Sequence, residues 1–430
     1  MPPHVPTVNR AARRIRAVYL LLQLFHTLAA SLIWGINTLF LLDAGLDNTE
    51  AFTVNAFFTA GMVIFEVPTG VLADTRGRRT SYLVGTFTLA VATMAYLALW
   101  HFEAPFWSWL PASIAIGLGF TFFSGAVEAW LVDALSVAGF FQEGGSLEAV
   151  LARGEIVEGA AMLAGSVAGG ILAQASNLGA PYVVRVVLLC VSFAVAFVAM
   201  HDEGFTPRRG ERVATEVMRV LRASIHYGFG NRPVRWIMLA APFEMGVSFY
   251  AFYVMQPWLL ELYGDEGAYA VAGLAAAIVA GAQIIGGLLV PQLRQLFQWR
   301  TSLLLTGSGV SALVLVAVAL LPHFVAAVLL LVLWALMFAA TTPVRQAFLN
   351  GLIPSAQRAT VLSFDSLLGS AGAAGLQPLL GRSADLWGYP ASYACGAALQ
   401  ALALPFLWLA RRERAPADPI VEAAGEKPAA

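Results

Sequence analysis

Apolar runs closed by arginine, proline or acidic clusters recur along the whole chain. A bilayer core ~30 Å thick takes ~20 apolar residues per helix. Twelve runs reach that length, at about 17–43, 51–73, 80–101, 106–135, 154–175, 181–201, 234–262, 268–291, 302–321, 323–350, 359–380 and 390–410. The pattern predicts an all-α integral membrane protein. The first run is too long for a signal-peptide core and no small-residue cleavage site follows it, so it is expected to remain in the mature chain.

The longest polar stretch divides the runs six and six. This gives an N-terminal six-helix bundle at 1–201, a cytoplasmic linker at 202–233, a C-terminal six-helix bundle at 234–412 and a tail at 413–430. The linker carries a basic amphipathic segment, Val213 to Ile225, which reads either as a helix lying on anionic headgroups or as a solvated charged face. Ala415 to Ala430 is rich in Pro, Ala and Glu and reads as disordered.

Composition agrees with a lipid-facing exterior. The hydrophobic set makes up 59% and charged residues 12% of the 430 positions, with a mean hydropathy of +0.73, against ~25% charged in soluble domains. So few polar residues cannot cover a water-facing surface, which excludes an ordinary cytosolic enzyme. A net charge of −1 and a pI near 6.6 argue against a nucleic-acid partner. Cys190 and Cys395 lie in apolar runs and read as two buried thiols. Lysine and arginine are retained on the cytoplasmic side during insertion. With both termini inside, 22 of the 25 basic residues fall on inside segments, only Arg382 falls outside, and Arg185 and Arg345 lie within spans.

The two halves resemble each other. Ser124–Leu135 lies over Thr341–Leu352 at an offset of 217, Arg79-Thr-Ser over Arg300-Thr-Ser at 221, and Phe25-His26 over Phe243-Glu244 at 218. Two six-helix halves of the same orientation form a parallel pseudo-repeat about the membrane normal. Between spans 2 and 3 stands Gly70-Val-Leu-Ala-Asp74-Thr-Arg76-Gly77-Arg78-Arg79. This matches the signature G-x-L-a-D-r-x-G-r-r, and the chain resembles a major facilitator superfamily transporter over all twelve spans, looking most like the prokaryotic drug/proton antiporters.

The loop has its own chemistry. Gly70 allows close helix approach, Gly77 permits a tight turn, and Asp74 is an anion suited to a helix N-terminus. The resemblance implies a cytoplasmic gate in which Asp74 faces the start of span 11 and Arg78 pairs with Asp133. A basic loop serving only insertion is the plainer alternative. The antiporter motif of span 5, G-x8-G-x3-G-P-x2-G-G, is degenerate here: Ala152, Ala161, Gly165, Ser166, Gly169 and Gly170 occupy its positions. Plain close packing through small residues at i, i+4 and i+8 accounts for the stretch equally well.

Charges at mid-bilayer cost ~2.5–3.5 kcal/mol on insertion scales, so each is a functional candidate. The candidates are His26, Glu66, Glu128, Asp133, Glu155, Glu158, Arg185, Glu244, Arg345 and Asp365. Asp133, Glu155, Glu158 and Arg185 lie near span ends and read as snorkelling. His26, Glu128, Glu244 and Arg345 remain, on the spans the resemblance makes cavity-lining, with Glu66 one turn before the gate either titrating or capping backbone near Pro68. Helical spacing aligns Gln23, His26, Thr27, Ala30, Trp34 and Asn37 on span 1, and Glu244, Ser248, Ala251 and Met255 on span 7, as water-facing walls. Phe122, Phe123, Trp130, Phe252 and Tyr253 suit an amphipathic aromatic substrate. Arg345 is expected to act as counter-ion to Glu128 or to anchor an anionic substrate group, leaving Glu244 as the group that titrates.

The reading is therefore a secondary transporter of the cell (inner) membrane, prokaryotic and monomeric, exporting a small amphipathic compound in exchange for protons and contacting membrane lipid. The alternative is a proton-coupled importer or facilitator of a small metabolite. An enzyme or ATP-driven pump does not fit: the sole lysine, Lys427, lies in the tail, so no P-loop exists. No catalytic residue, cofactor or metal site is expected.

Overall fold

The computed structural model describes residues 10–206, 218, 225–354 and 357–420. Among these the chain is helical throughout, with one isolated bridge between Trp299 and Pro419. The helices of the first part are α1 (Arg10–Trp34), α2 (Asn37–Asp43), α3 (Asn48–Arg76), α4 (Arg78–His101), α5 (Phe106–Thr121), α6 (Ala126–Val137), α7 (Leu147–Ala175) and α8 (Ala180–Ala199). The second part has α9 (Arg232–Tyr263), α10 (Tyr269–Leu288), α11 (Val290–Gln295), α12 (Arg300–Leu320), α13 (Phe324–Asn350), α14 (Arg358–Ala401) and α15 (Ala403–Arg412).

Among the described residues, eleven stretches are long and apolar enough to cross a membrane. The last, Val361–Arg412, contains Gly388 at φ 80°, ψ 170° followed by Pro390, so it bends into two runs and restores the expected twelve. The fourth, Phe106–Val137, is broken between α5 and α6, where Gly125 takes the left-handed conformation at φ 65°. Continuous hydrophobicity hides that break from a hydropathy reading.

The described residues group into two compact units: Met1–Val217 with Gly264–Ala277, and Met218–Tyr263 with Ile278–Ala430. In the first unit α1 packs on α7 and α8, α3 on α5, and α4 on α5 and α8. The small residues of α7 explain its closeness to α1. A Cβ on Gly165 would run into Ser31 Oγ and one on Gly169 into Leu32 O, while Ser31 Oγ donates to Ala161 O at 3.1 Å. The segment 264–277 belongs here through Gly273, which lies against Gly170, and through Ala270 N–H donating to Gln174 Oε1 at 3.0 Å. In the second unit α9 packs on α14 and α15, and α12 on α13 and α14. Its core joins Ile237, Met238, Leu304, Val344, Phe348 and Leu407.

Four expectations are corrected. Residues 415–420 are ordered, because Asp418 is buried under the start of α12. Arg185 does not snorkel: it is 1% exposed. Cys190 is exposed, and Cys395 partly so, both as free thiols. The span 1 stripe is interrupted, since α1 ends at Trp34 and Asn37 opens α2, where it bonds to Asn55 Oδ1 (2.9 Å) and Tyr182 Oη (3.0 Å) rather than lining a cavity. The basic amphipathic segment Val213 to Ile225 lies outside the described residues apart from Met218 and Ile225.

Candidate transport site

In the first unit the helix break builds a cavity of about 230 Å³. Its wall includes Gln23 and His26 from α1, Tyr82 from α4, Phe123 and Ser124 from the break, Glu128 from the first turn of α6 and Glu158 from α7. Among the described residues no lysine or arginine lines it. An acid in a helix's first turn is favoured by the N-terminal dipole, which accounts for Glu128 directly after the break. Glu158, read from sequence as snorkelling, faces this cavity, and Tyr19 lies within electrostatic reach of Glu128, Glu158 and Glu155. Depth judged from a span boundary failed here because α7 begins at Leu147, two turns earlier than the apolar run.

Aromatic rings floor the cavity. His26 lies 4.3 Å from the Phe123 ring and 5.7 Å from Phe120, centroid to centroid, and Tyr82 meets Phe123 edge-on at 4.9 Å. Tyr82 Oη is fixed by Ser192 Oγ at 2.7 Å. Phe122, expected as a liner, is buried instead against α4, where Ser81 Oγ donates to its carbonyl at 2.8 Å. Glu66 accepts from Ser124 Oγ at 2.7 Å, tying α3 to the break. Behind His26, the partners of Arg185 among the described residues are neutral: Thr93 Oγ1 and Ala29 O, each at 3.2 Å, and the Phe120 ring.

The second unit has a smaller cavity, about 100 Å³, whose polar wall includes Glu244, Ser248, Ser308, Arg345 and Gln400. Arg345 is held by both oxygens of Asp365, the Nη2 to Oδ1 contact being 2.6 Å, and donates to Ile237 O at 3.2 Å. Its Nε stands 3.9 Å from Glu244. Ser308 bonds Glu244 and accepts from Gln400 Nε2 at 3.2 Å. The expected counter-ion role toward Glu128 is thus corrected: the fork of Arg345 is filled by Asp365, which sequence reading set aside. A pair twenty positions apart on two helices leaves no one-dimensional signal. On α9 the predicted stripe reaches the cavity at Glu244 and Ser248 only; Ala251 and Met255 are each 1% exposed and pack inside the unit. Phe252 lies against Tyr253 at 5.6 Å.

The loop between α3 and α4 turns at Gly77, φ 106°. Arg78 pairs with Asp74 at 2.5 Å, which replaces the expected pairing with Asp133; among the described residues no ion pair involves Asp133. The turn at Gly77 is the reason: it brings Arg78, the first residue of α4, back beside Asp74 in the last turn of α3. A Cβ on Gly70 would meet nothing within 4 Å. Among the described residues no cluster suits a metal ion.

A family model described as Major Facilitator Superfamily matches residues 19–375. The chain belongs to this superfamily. It is a transporter and not an enzyme, and an integral, multi-pass membrane protein. A search of curated proteins gave no match. Among solved structures, a variant of the nucleoside transporter NupG superposes with a TM-score of 0.75 at 12% identity, covering 91% of this chain and 99% of that one. A D-xylose-proton symporter gives 0.67 at 17% identity, covering 93% and 97%. A bacterial homologue of the human lysosomal transporter Spinster gives 0.68 at 15%, covering 94% and 98%. At these identities the likeness shows the superfamily's fold.

Proposed function

We propose that this transporter exports a small amphipathic, aromatic cation in exchange for protons, as a monomer in a prokaryotic inner membrane with both termini cytoplasmic. The observation that carries the reading is the charge imbalance of the first cavity, where Glu128 and Glu158 share a wall with His26 and, among the described residues, with no lysine or arginine. Two carboxylates in a low-dielectric wall need either protons or a bound cation to offset their charge. Occupancy by one excludes the other, and competition for a single site is the thermodynamic basis of exchange. The Phe123, Tyr82 and His26 rings supply the faces that an aromatic cation stacks on. In the second unit, Arg345 already carries Asp365 and Glu244, so the proton-carrying role moves from Glu244 to Glu128 and Glu158. The loop Gly70–Arg79 acts as the cytoplasmic gate.

A second reading, a proton-coupled importer or facilitator of a small metabolite, draws support from the D-xylose-proton symporter and the nucleoside transporter among the structural neighbours. Proton release on binding separates the two. In weakly buffered detergent solution, ethidium or a related aromatic amine should displace protons from the wild-type protein and not from a Glu128→Gln/Glu158→Gln variant. Binding with no proton release would favour the second reading.

A further inference from the structure

Most of the described helices open on residues that supply no side-chain cap, α4 and α12 among them. The residue before α4 is Gly77 and the residue before α12 is Trp299, and neither supplies a side-chain cap. Each helix receives a carboxylate from far along the chain. In the first unit Asp202 Oδ1 accepts the Arg79 N–H at 2.9 Å, across 123 residues. In the second unit Asp418 Oδ1 accepts the Thr301 N–H at 2.8 Å, across 117 residues, and its Oδ2 accepts the Thr301 hydroxyl at 2.8 Å. α4 begins Arg78-Arg79-Thr-Ser and α12 begins Arg300-Thr-Ser, so in each the carboxylate meets the N–H of the second helical residue, and both carboxylates come from the segment that leaves the last span of their own unit.

The surrounding contacts repeat the arrangement. Arg79 Nη2 donates back to Phe197 O at 2.6 Å, and Arg300 Nη1 donates to Pro419 O at 3.0 Å. The Asp202 carboxylate also fills the space where a Cβ at Gly77 would stand, its Cγ being 3.1 Å from that point. Gly77 is therefore required twice, by its positive φ and by the carboxylate seated on it. Trp130 Nε1 fixes His201 O at 2.8 Å, and the Arg78 guanidinium lies over the Phe205 ring, so residues 201–205 are tied to α4 and α6 together.

We propose that Asp202 and Asp418 are matched positioning residues, each setting the arginine-rich loop of its own unit from the segment that exits the unit's last span. Asp202 stands at the start of the stretch that joins the two halves. The position of the Gly70–Arg79 loop is then coupled to that connecting segment, and residues 415–420 do the same for the second unit. The argument rests on the proposed gating role of the loop, while the caps themselves stand independently of it.

The test uses the full-length protein in detergent, with hydrogen exchange read separately over residues 77–83 and 299–305. Asp202→Ala should raise exchange in the first segment about fivefold or more and leave the second unchanged; Asp418→Ala should do the reverse. Asp202→Asn, whose amide oxygen caps as well as a carboxylate, should restore protection. Gly77→Ala should raise exchange less in an Asp202→Ala background than alone, because the overlap with the carboxylate has gone. Labels at Ser136 and Gln346 report gating, and Asp202→Ala should shift their distance distribution while Asp202→Asn does not. Unchanged exchange in both alanine variants would overturn the caps. Raised exchange with an unchanged distance distribution would overturn the positioning role, leaving the caps as local stabilisers. Because neither readout needs a substrate, failure to find aromatic-cation transport would count against the proposed function alone.

Discussion

Replacing Asp365 with asparagine isolates the largest electrostatic commitment in the second unit. Asp365 is 5% exposed and engages both terminal nitrogens of Arg345. Breaking a buried pair by removing one partner costs about 3–5 kcal/mol, because the remaining charge keeps its desolvation penalty. Glu244, 3.9 Å from Nε, still attracts the guanidinium, by about 4 kcal/mol at an effective dielectric of ~20. The expected cost of Asp365→Asn is therefore at the lower end, about 3 kcal/mol. Glu244→Gln alone leaves the two-pronged pair with Asp365 intact and should cost about 1 kcal/mol. The double variant strands Arg345 without an anion, so its cost should exceed the sum of the singles by about 1–2 kcal/mol. Unfolding in mixed micelles of rising SDS fraction measures all three. An Arg345→Met/Asp365→Leu variant, which removes both charges, should return to within about 1 kcal/mol of wild type. Additive costs, or a Glu244→Gln penalty equal to that of Asp365→Asn, would refute the assignment of Asp365 as the principal counter-ion.

Three further outcomes follow from the same geometry. Gly169→Val pushes a side chain into the Leu32 carbonyl and should cost about 1–3 kcal/mol, whereas Gly287→Ala meets nothing within 4 Å and should change stability by about 0.5 kcal/mol or less; the same SDS titration reads both. The Asp74–Arg78 pair is partly exposed, at 40% and 21%, so Asp74→Asn should shift the Ser136–Gln346 distance populations by no more than about fivefold, as expected of ~1 kcal/mol or less. Arg185→Met removes a buried guanidinium whose contacts are all neutral and should leave stability within about 1 kcal/mol of wild type or raise it; a loss of several kcal/mol in the same titration would reveal an anionic partner for Arg185.

What the sequence made legible is what one dimension can carry. Span length and the loop Gly70–Arg79 are local patterns, and the small-residue spacing of Ala161, Gly165 and Gly169 needs only the helical period to predict a closely packed face, while its partner, α1, is supplied by the fold. The site is a product of distances between helices, and there the reading slipped. Asp365, on α14, becomes the neighbour of Arg345 only through packing. Glu158 and Arg185 were assigned to the interface from their nearness to a span end, yet both turn inward. The break at Ser124-Gly125 had a usable signal, a turn dipeptide inside an apolar run, which continuous hydrophobicity masked. The tail was judged by its composition, and a single buried carboxylate, Asp418, ordered its first residues.

Gradient-driven flux in proteoliposomes tests the central claim most directly. Vesicles of purified protein, given an inward-acid pH gradient and a panel of fluorescent aromatic amines such as ethidium, should accumulate at least one amine, with accumulation collapsing when the gradient is dissipated. Glu128→Gln/Glu158→Gln protein should lose this accumulation, while Glu244→Gln protein keeps most of it. Flux indifferent to the gradient, or full gradient-driven flux in the Glu128→Gln/Glu158→Gln protein, would contradict proton exchange through the first cavity.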